Sequence, residues 1–344
     1  MPRLLGPFFA ALALLVVCVS PASGAARVGV ADSDSTTFVD ANWAGLSVRL
    51  GRAVVPYDVA LTPAVAGTPA GNRRLEFDAW IANAAHAGVR PLVSFQASLD
   101  PAKQNAAGQP RAPSRSAYTT AIRAFLATYP SARTLSPWNE PNFRGAAVNP
   151  LEHKPRLAAA YYRALTAACA RCTVTAGELA GIPGDPYLRR YQRGLGSARP
   201  ALWSLTAHTD ANRFQAAGDR SAPATNWYLS GLSGRWAHAR VWIDEVGAYY
   251  RDENGNVWGD ASQARTTRFI LGLATLSRRI QRIYYYNLSN ECSTISRCAV
   301  QDRGLVAPTP FDVAAGASIG YDVAGRVRPA YAVIQARGPV IRPR

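Results

Sequence analysis

Trp138-Asn139-Glu140-Pro141-Asn142 is the stretch on which the reading of this chain turns. It closes the short run 134–138, whose composition predicts a strand, and it sets a glutamate where that strand gives way to a loop. Trp242-Ile243-Asp244-Glu245-Val246-Gly247 repeats the device, ending the apolar run 240–245 with Glu245. Carboxylates placed at the ends of separate buried strands converge only if those strands share one face, as they do in a closed parallel barrel.

Working outward, runs of the same kind occur at 27–30, 46–50, 89–95, 173–177, 202–208 and 282–287. Longer segments of helical period separate most of them. Leu75, Trp80, Ile81 and Ala84 share one face of 72–87, and Ile122, Phe125, Leu126 and Tyr129 share one face of 114–129. Leu157, Tyr161, Leu165 and Cys169 do the same in 155–170, as do Ile270, Leu273 and Leu276 in 263–279. Eight near-continuous apolar strands alternating with helices predict an α/β fold, a single (β/α)8 TIM barrel over 25–344. An open doubly wound sheet is the other arrangement of such elements, but no Gly-rich phosphate loop follows the first strand.

Hydrophobic content of 48% against 17% charged residues describes a folded chain with ample core. The net charge is +16, and Lys103 and Lys154 are its only lysines. The arginines are scattered, with short pairs such as Arg73-Arg74, Arg189-Arg190 and Arg278-Arg279, rather than gathered on one stripe as nucleic-acid binding requires. Electrostatic adhesion to an anionic cell wall is the more natural use of this charge.

An apolar run over 7–19 after Pro2-Arg3, followed by Ala22-Ser23-Gly24, has the layout of a signal peptide cleaved near residue 24. A secreted, extracellular protein without a membrane span is therefore expected. Val17 before Cys18 is larger than lipid modification favours. Cleavage would leave Cys169, Cys172, Cys292 and Cys298, enough for two disulfides in any of three connectivities. Closeness in sequence favours Cys169–Cys172 and Cys292–Cys298. A metal or redox use of Cys169-x-x-Cys172 is the weaker reading, since the second pair lacks a matching zinc spacing.

The chain has only seven glutamates, yet Glu140, Glu178, Glu245 and Glu291 all fall just after or at the end of expected strands. A glycosidic bond leaves badly unless protonated, and its ring carbon becomes cationic in the transition state. One carboxyl must then hold a proton while another stays ionised. Trp138, Pro141 and Phe143 would desolvate Glu140 and suit it to the acid; Glu245 suits the nucleophile if a cation holds it ionised. Arg49, in the expected second strand, is the candidate inward cation, or else part of a structural salt bridge. Glu178 is open between substrate contact and salt bridge, and Asp244 should point away from Glu245 by strand alternation.

On these two motifs, and on Gly304-Leu305-Val306 with Gly325 to Tyr331 leading into the final helix, the chain resembles the large clan of retaining glycoside hydrolases whose catalytic glutamates end strands four and seven. The cellulase-like, β-xylosidase-like and endoglycosidase-like families belong to that clan. The resemblance implies Glu140 as acid/base, Glu245 as nucleophile, and Asn139 as the contact to the sugar hydroxyl beside the reacting carbon. It implies that Arg49 orients the nucleophile and that His208 holds the histidine or tyrosine position ending strand six. Tyr286 stands where many relatives present a tryptophan, and is expected to stack on sugar. The activity so implied is cofactor-free and metal-free cleavage of a β-linked oligo- or polysaccharide by double displacement. Two other classes remain: a non-catalytic barrel that binds polysaccharide or cell wall through the same cleft, and a redox protein using Cys169 and Cys172.

Overall fold

The structure is a computed structural model and describes residues 25–144, 149–289, 301–307 and 325–341. Nine strands are laid side by side in parallel: β1 (Ala26–Ala31), β2 (Leu50–Pro56), β3 (Arg90–Gln96), β4 (Thr134–Ser136), β5 (Thr173–Val174), β6 (Ala176–Ala180), β7 (Leu202–Thr206), β8 (Arg240–Val246) and β9 (Ile280–Tyr285). Their order is β5-β4-β3-β2-β1-β9-β8-β7-β6. Only Thr175 separates β5 from β6, so one interrupted stave joins the two ends of the path and the sheet closes as a TIM barrel. A tenth strand, β10 (Val340–Ile341), adds antiparallel to the start of β1.

The helices outside are set by local signals visible in the chain. α1 (Ala41–Gly45) starts at Asp40, whose carboxylate accepts from Asn42 N. α2 (Pro69–His86) starts with Thr68 accepting from Gly71 N and proline in its first turn, and α3 (Arg115–Thr128) with Ser114 accepting from Ala117 N. α4 (Pro155–Ala168) buries Tyr161 and Leu165. α5 (Tyr187–Gly194), α6 (His208–Ala217), α7 (Pro223–Gly231), α8 (Gly259–Gly272) and α9 (Pro329–Arg337) complete the outer layer. None of these helices is long and apolar enough to cross a membrane.

Two cores result. The larger lies between staves and helices and includes Trp80, Phe95, Phe125, Tyr161, Trp203 and Ile283. The smaller plugs the barrel interior with Ala31, Leu50, Leu92, Leu202, Trp242 and Tyr284. Gly29 makes room for that plug: a Cβ there would come within 2.7 Å of the Tyr284 ring.

Of the strand boundaries that differ from expectation, two move a site residue out of its expected strand. The second strand is not 46–50; it begins at Leu50 and pairs residue by residue with β3 as far as Pro56↔Gln96. The Gly51-Arg52-Ala53-Val54-Val55 segment makes this ladder, whereas Ser47, in the left-handed region at φ 55°, breaks the extended chain before it. The sixth stave stops at Thr206, and His208 opens α6 rather than ending a strand.

Cys169 and Cys172 form a disulfide between the end of α4 and the start of β5, at the barrel face opposite the strand carboxyl ends. The expected Cys292–Cys298 pair lies outside the described residues. A closed loop this short constrains the unfolded chain little, by about 2 kcal/mol. The double substitution Cys169→Ser, Cys172→Ser should lower unfolding free energy by about that amount in urea melts. Any activity housed at the other end of the barrel should be retained; its loss would revive the redox reading.

Candidate active site

At the carboxyl face the staves continue briefly as single hydrogen bonds, which aim the site residues. Asn139 N donates to Phe95 O at 2.6 Å and Glu140 N to Glu178 O at 3.0 Å, so the stretch after β4 is held on both sides. Ala207 N donates to Glu245 O and Tyr286 N to Val246 O, each at 2.9 Å. Glu140 and Glu178 are two of only four non-glycine residues with positive φ among the described residues, at 41° and 50°. Such backbone is sparsely populated and persists where surrounding bonds over-determine it, most often at functional sites. Here Phe143 N and Asn149 Nδ2 both donate to the Glu140 carbonyl, at 2.9 and 3.0 Å.

Arg52 organises the floor. It shares an interior side of β2 with Leu50, two residues away, and is 1% exposed. Its Nη1 donates to Glu245 Oε2 at 2.6 Å, and its Nη2 donates to Asn139 Oδ1 at 2.6 Å and to Glu178 Oε1. Ser94 Oγ donates to the other Glu178 oxygen at 3.0 Å. Burial opposes charge on Arg52, but Glu178 and Glu245 more than offset it and keep the guanidinium ionised. Glu178 is fully buried, an ion-pair partner rather than a surface contact.

Arg49, the cation expected here, is exposed and lies just before β2. Because β2 begins only at Leu50, the interior guanidinium belongs to Arg52, three residues on. Asp244 also departs from expectation. The β8 register shifts between Ile243 and Val246, so the alternation breaks, and Asp244 is wholly buried within reach of the Glu178 and Arg52 charges. Burial and Glu178 push its carboxyl well above the usual range.

The structure brings Glu140, Glu245, His208 and Tyr286 together around a cavity of about 870 Å³, whose walls also include Phe143, Tyr249, Glu253 and Arg303. A second cavity of about 390 Å³ adjoins it on the β3–β4 side, lined by Gln96, Trp138 and Asn139, and it shares Glu140 and Phe143 with the first. Phe143 is 42% exposed between the two, an aromatic face open to solvent. Tyr286 presents its ring at 85° to that of His208, with centroids 6.0 Å apart, and its peptide bond to Asn287 is cis.

The two glutamates occupy opposite electrostatic settings. Burial, then the neighbouring Glu245 charge, pushes the Glu140 carboxyl up to about 7, only partly relieved by the hydrogen bond from Thr206 Oγ1. Burial would raise Glu245 too, but Arg52 and the His208 ring at 3.0 Å from its Oε1 overcome it and hold the carboxyl at about 2. One carboxyl is thus kept protonated near neutrality and the other ionised, the pairing that general acid and nucleophile chemistry requires. Among the described residues no group of three His, Cys, Asp or Glu side chains is placed to hold a metal ion.

Arg52, Thr206, Tyr249, Glu253 and Arg303 belong to the site without being marked by the strand-end motifs. Arg52 is singled out from Arg49 only by the pairing of β2 with β3. Arg303 carries no local signal, because it reaches the cleft from an irregular segment.

No protein-family model matches the chain, and no curated protein sequence matches it. Solved structures do. A family 39 glycoside hydrolase from the gut symbiont Bacteroides cellulosilyticus WH2 aligns at TM-score 0.59 and 14% identity over 90% of this chain; the chain spans 62% of that protein's length. A GH5_18 protein from Streptomyces cattleya in complex with GlcNAc aligns at TM-score 0.60 and 15% identity, over 94% of this chain and 83% of that one. The GH53 catalytic domain of Ignisphaera aggregans aligns at 0.59 and 15%, over 90% and 95%. At such identities the likeness establishes the fold: a TIM barrel shared with glycoside hydrolases over most of the chain.

Removing one partner of a buried ion pair typically costs about 3–5 kcal/mol, because the other charge is left uncompensated. Arg52→Met should therefore lower stability by about that much in urea unfolding, whereas Arg49→Ala should change it by no more than about 0.5 kcal/mol. Equal effects of the two substitutions would mean that Arg52 does not anchor the site.

Proposed function

We propose that the protein is a secreted retaining glycoside hydrolase that cleaves a β-linked oligo- or polysaccharide by double displacement. The observation that carries this reading is the pair of carboxyls in one cleft, Glu140 raised by burial and Glu245 held ionised by Arg52 and His208. Protonated Glu140 gives its proton to the glycosidic oxygen while a Glu245 oxygen bonds to the anomeric carbon, so the leaving sugar departs as a neutral alcohol. Glu140, now ionised, takes a proton from water, whose oxygen displaces Glu245 from the anomeric carbon; both carboxyls return to their starting states.

The remaining residues have supporting roles in this scheme. Asn139, fixed through its Oδ1 by Arg52, keeps its amide hydrogens for a sugar hydroxyl beside the reacting carbon. Tyr286 and Phe143 offer aromatic faces for the apolar faces of sugar rings. Cavities on both sides of Glu140 suit a substrate with units on either side of the bond. The shared fold with glycoside hydrolases, one of them holding GlcNAc, supports a carbohydrate substrate. Export is part of the proposal, supported by the leader-like run over 7–19 and by the Cys169–Cys172 disulfide. The +16 net charge supports adhesion to an anionic cell wall.

Hydrolysis of a panel of β-linked oligosaccharides, followed by NMR of the first-formed anomer, tests the reading. Retained configuration is expected; an inverted product would exclude Glu245 as nucleophile. Glu140→Gln should lower kcat/KM by about 10²–10⁴-fold, and Glu245→Gln should abolish turnover with the fold intact by circular dichroism. Saccharide binding by calorimetry without cleavage of any substrate would instead favour the non-catalytic barrel.

The pH profile follows from the two carboxyls. Activity is lost at high pH as Glu140 gives up its proton, and at low pH as Glu245 gains one. The rate should therefore be level through the acidic range, with limbs near about 7 and about 2. Glu140→Gln should remove the alkaline limb from whatever activity remains.

A further inference from the structure

Arg303 is a buried cation that the scheme above does not use. It comes from the irregular segment 301–307, is 4% exposed, and approaches the cleft behind His208. Its Nη1 donates to Gly247 O at 2.6 Å, and its guanidinium lies 3.5 Å from the centre of the Tyr249 ring. Tyr249 is itself tied down by its hydroxyl, which donates to Glu253. Gly247 has no room for a side chain, since a Cβ there would sit 1.9 Å from Tyr286 O. The arginine is thus pinned from two sides.

The same Nη1 lies 2.8 Å from His208 Nδ1, while His208 Nε2 lies 3.0 Å from Glu245 Oε1. A guanidinium can only donate. Nδ1 must then be the acceptor and carry no hydrogen, which leaves the ring hydrogen on Nε2, facing a carboxylate that can only accept. A doubly protonated imidazolium is ruled out by the same contact, because it would set N–H against N–H.

We propose that Arg303 is a positioning residue: it fixes His208 as a neutral imidazole with its hydrogen on Nε2, so that Glu245 always receives a second hydrogen bond from an uncharged donor. The proposal rests on the reading of Glu245 as the nucleophile for its catalytic consequence, but not for the tautomer itself. The charged and titratable groups facing the ring are Arg303 behind it, Glu245 and Arg52 in front, and Tyr286 at its edge. Burial, then Arg303, lowers the affinity of His208 for a second proton; Glu245 pulls the other way. The consequence is separation of tasks. Were a carboxylate in the place of Arg303, the ring would be an imidazolium and its loss of charge would modulate the nucleophile near neutrality. With an arginine there, the ring adds no titration of its own to that of Glu140 in this range.

Long-range ¹H–¹⁵N NMR of the full chain, labelled at its four histidines, tests this, with His208 assigned by its absence in His208→Gln. The expected spectrum has an acceptor-type Nδ1 and a protonated Nε2 that stay unchanged between about pH 5 and pH 8. A protonated Nδ1 or an imidazolium in this range overturns the proposal, whether or not any saccharide is cleaved. Arg303→Met removes the donor while keeping an apolar stem over Tyr249. It should let His208 titrate in that range, lower kcat by about 10–100-fold with little change in KM, and add an ionisation to the acidic side of the rate profile. Arg303→Lys retains a donor and should restore the single tautomer. Unchanged His208 signals in Arg303→Met would overturn the proposal; an expected spectrum in a protein without hydrolase activity would instead overturn the reading of the site as catalytic.

Discussion

The Arg52 guanidinium is buried where carboxylates meet it, and this pairing shapes the carboxyl end of the molecule. Arg52 reaches from β2 to Asn139 after β4, to Glu178 in β6 and to Glu245 in β8. It therefore ties together four of the eight staves, the second, fourth, fifth and seventh. Below it the interior is apolar, with Leu50, Leu92, Trp242 and Tyr284; above it the cleft opens. Arg52 marks the level at which packing ends and chemistry can begin.

The division of labour between the two central glutamates descends from that placement. Glu245 and Glu140 are the same residue type at the ends of nearby staves, and burial raises both. Only Glu245 touches the guanidinium, and it also receives the His208 hydrogen bond. Glu140 has a hydroxyl donor in Thr206 and an anionic neighbour in Glu245. A single cation, held on one side of the cleft, therefore separates an acid from a base. The left-handed backbone at Glu140 and Glu178, which are bonded to each other through Glu140 N, stores strain that the hydrogen bonds around them sustain.

Beside this centre, two further buried arginines hold the segment 301–307 in place. Arg303 is held by a carbonyl, an aromatic face and an imidazole nitrogen, none of them anionic. Arg328, just before α9, pairs with Asp302 and stacks on Tyr250, securing the segment that carries Arg303. In a chain with two lysines, the planar, rigid guanidinium is the cation of choice for such sites, because it can stack and donate in fixed directions at once.

Much of this could be read from the chain alone. Buried strands announce themselves as apolar runs, and helices as 3.6-residue stripes with Ser114 and Pro155 at their starts, because both signals are local. The barrel, the strand ends carrying Glu140 and Glu245, and the Cys169–Cys172 bridge follow from such signals. The identity of the interior cation did not, since Arg49 and Arg52 lie three residues apart and only pairing with β3 decides which one the barrel encloses. That Asp244 and Glu245 both face the site depended on a bulge that the partner strands impose. Arg303 depended on a loop whose position no periodicity encodes. Local composition determined which segments become staves and which residues stand at their ends; register, bulges and loop placement, which are settled between segments distant in the chain, decided which charges meet.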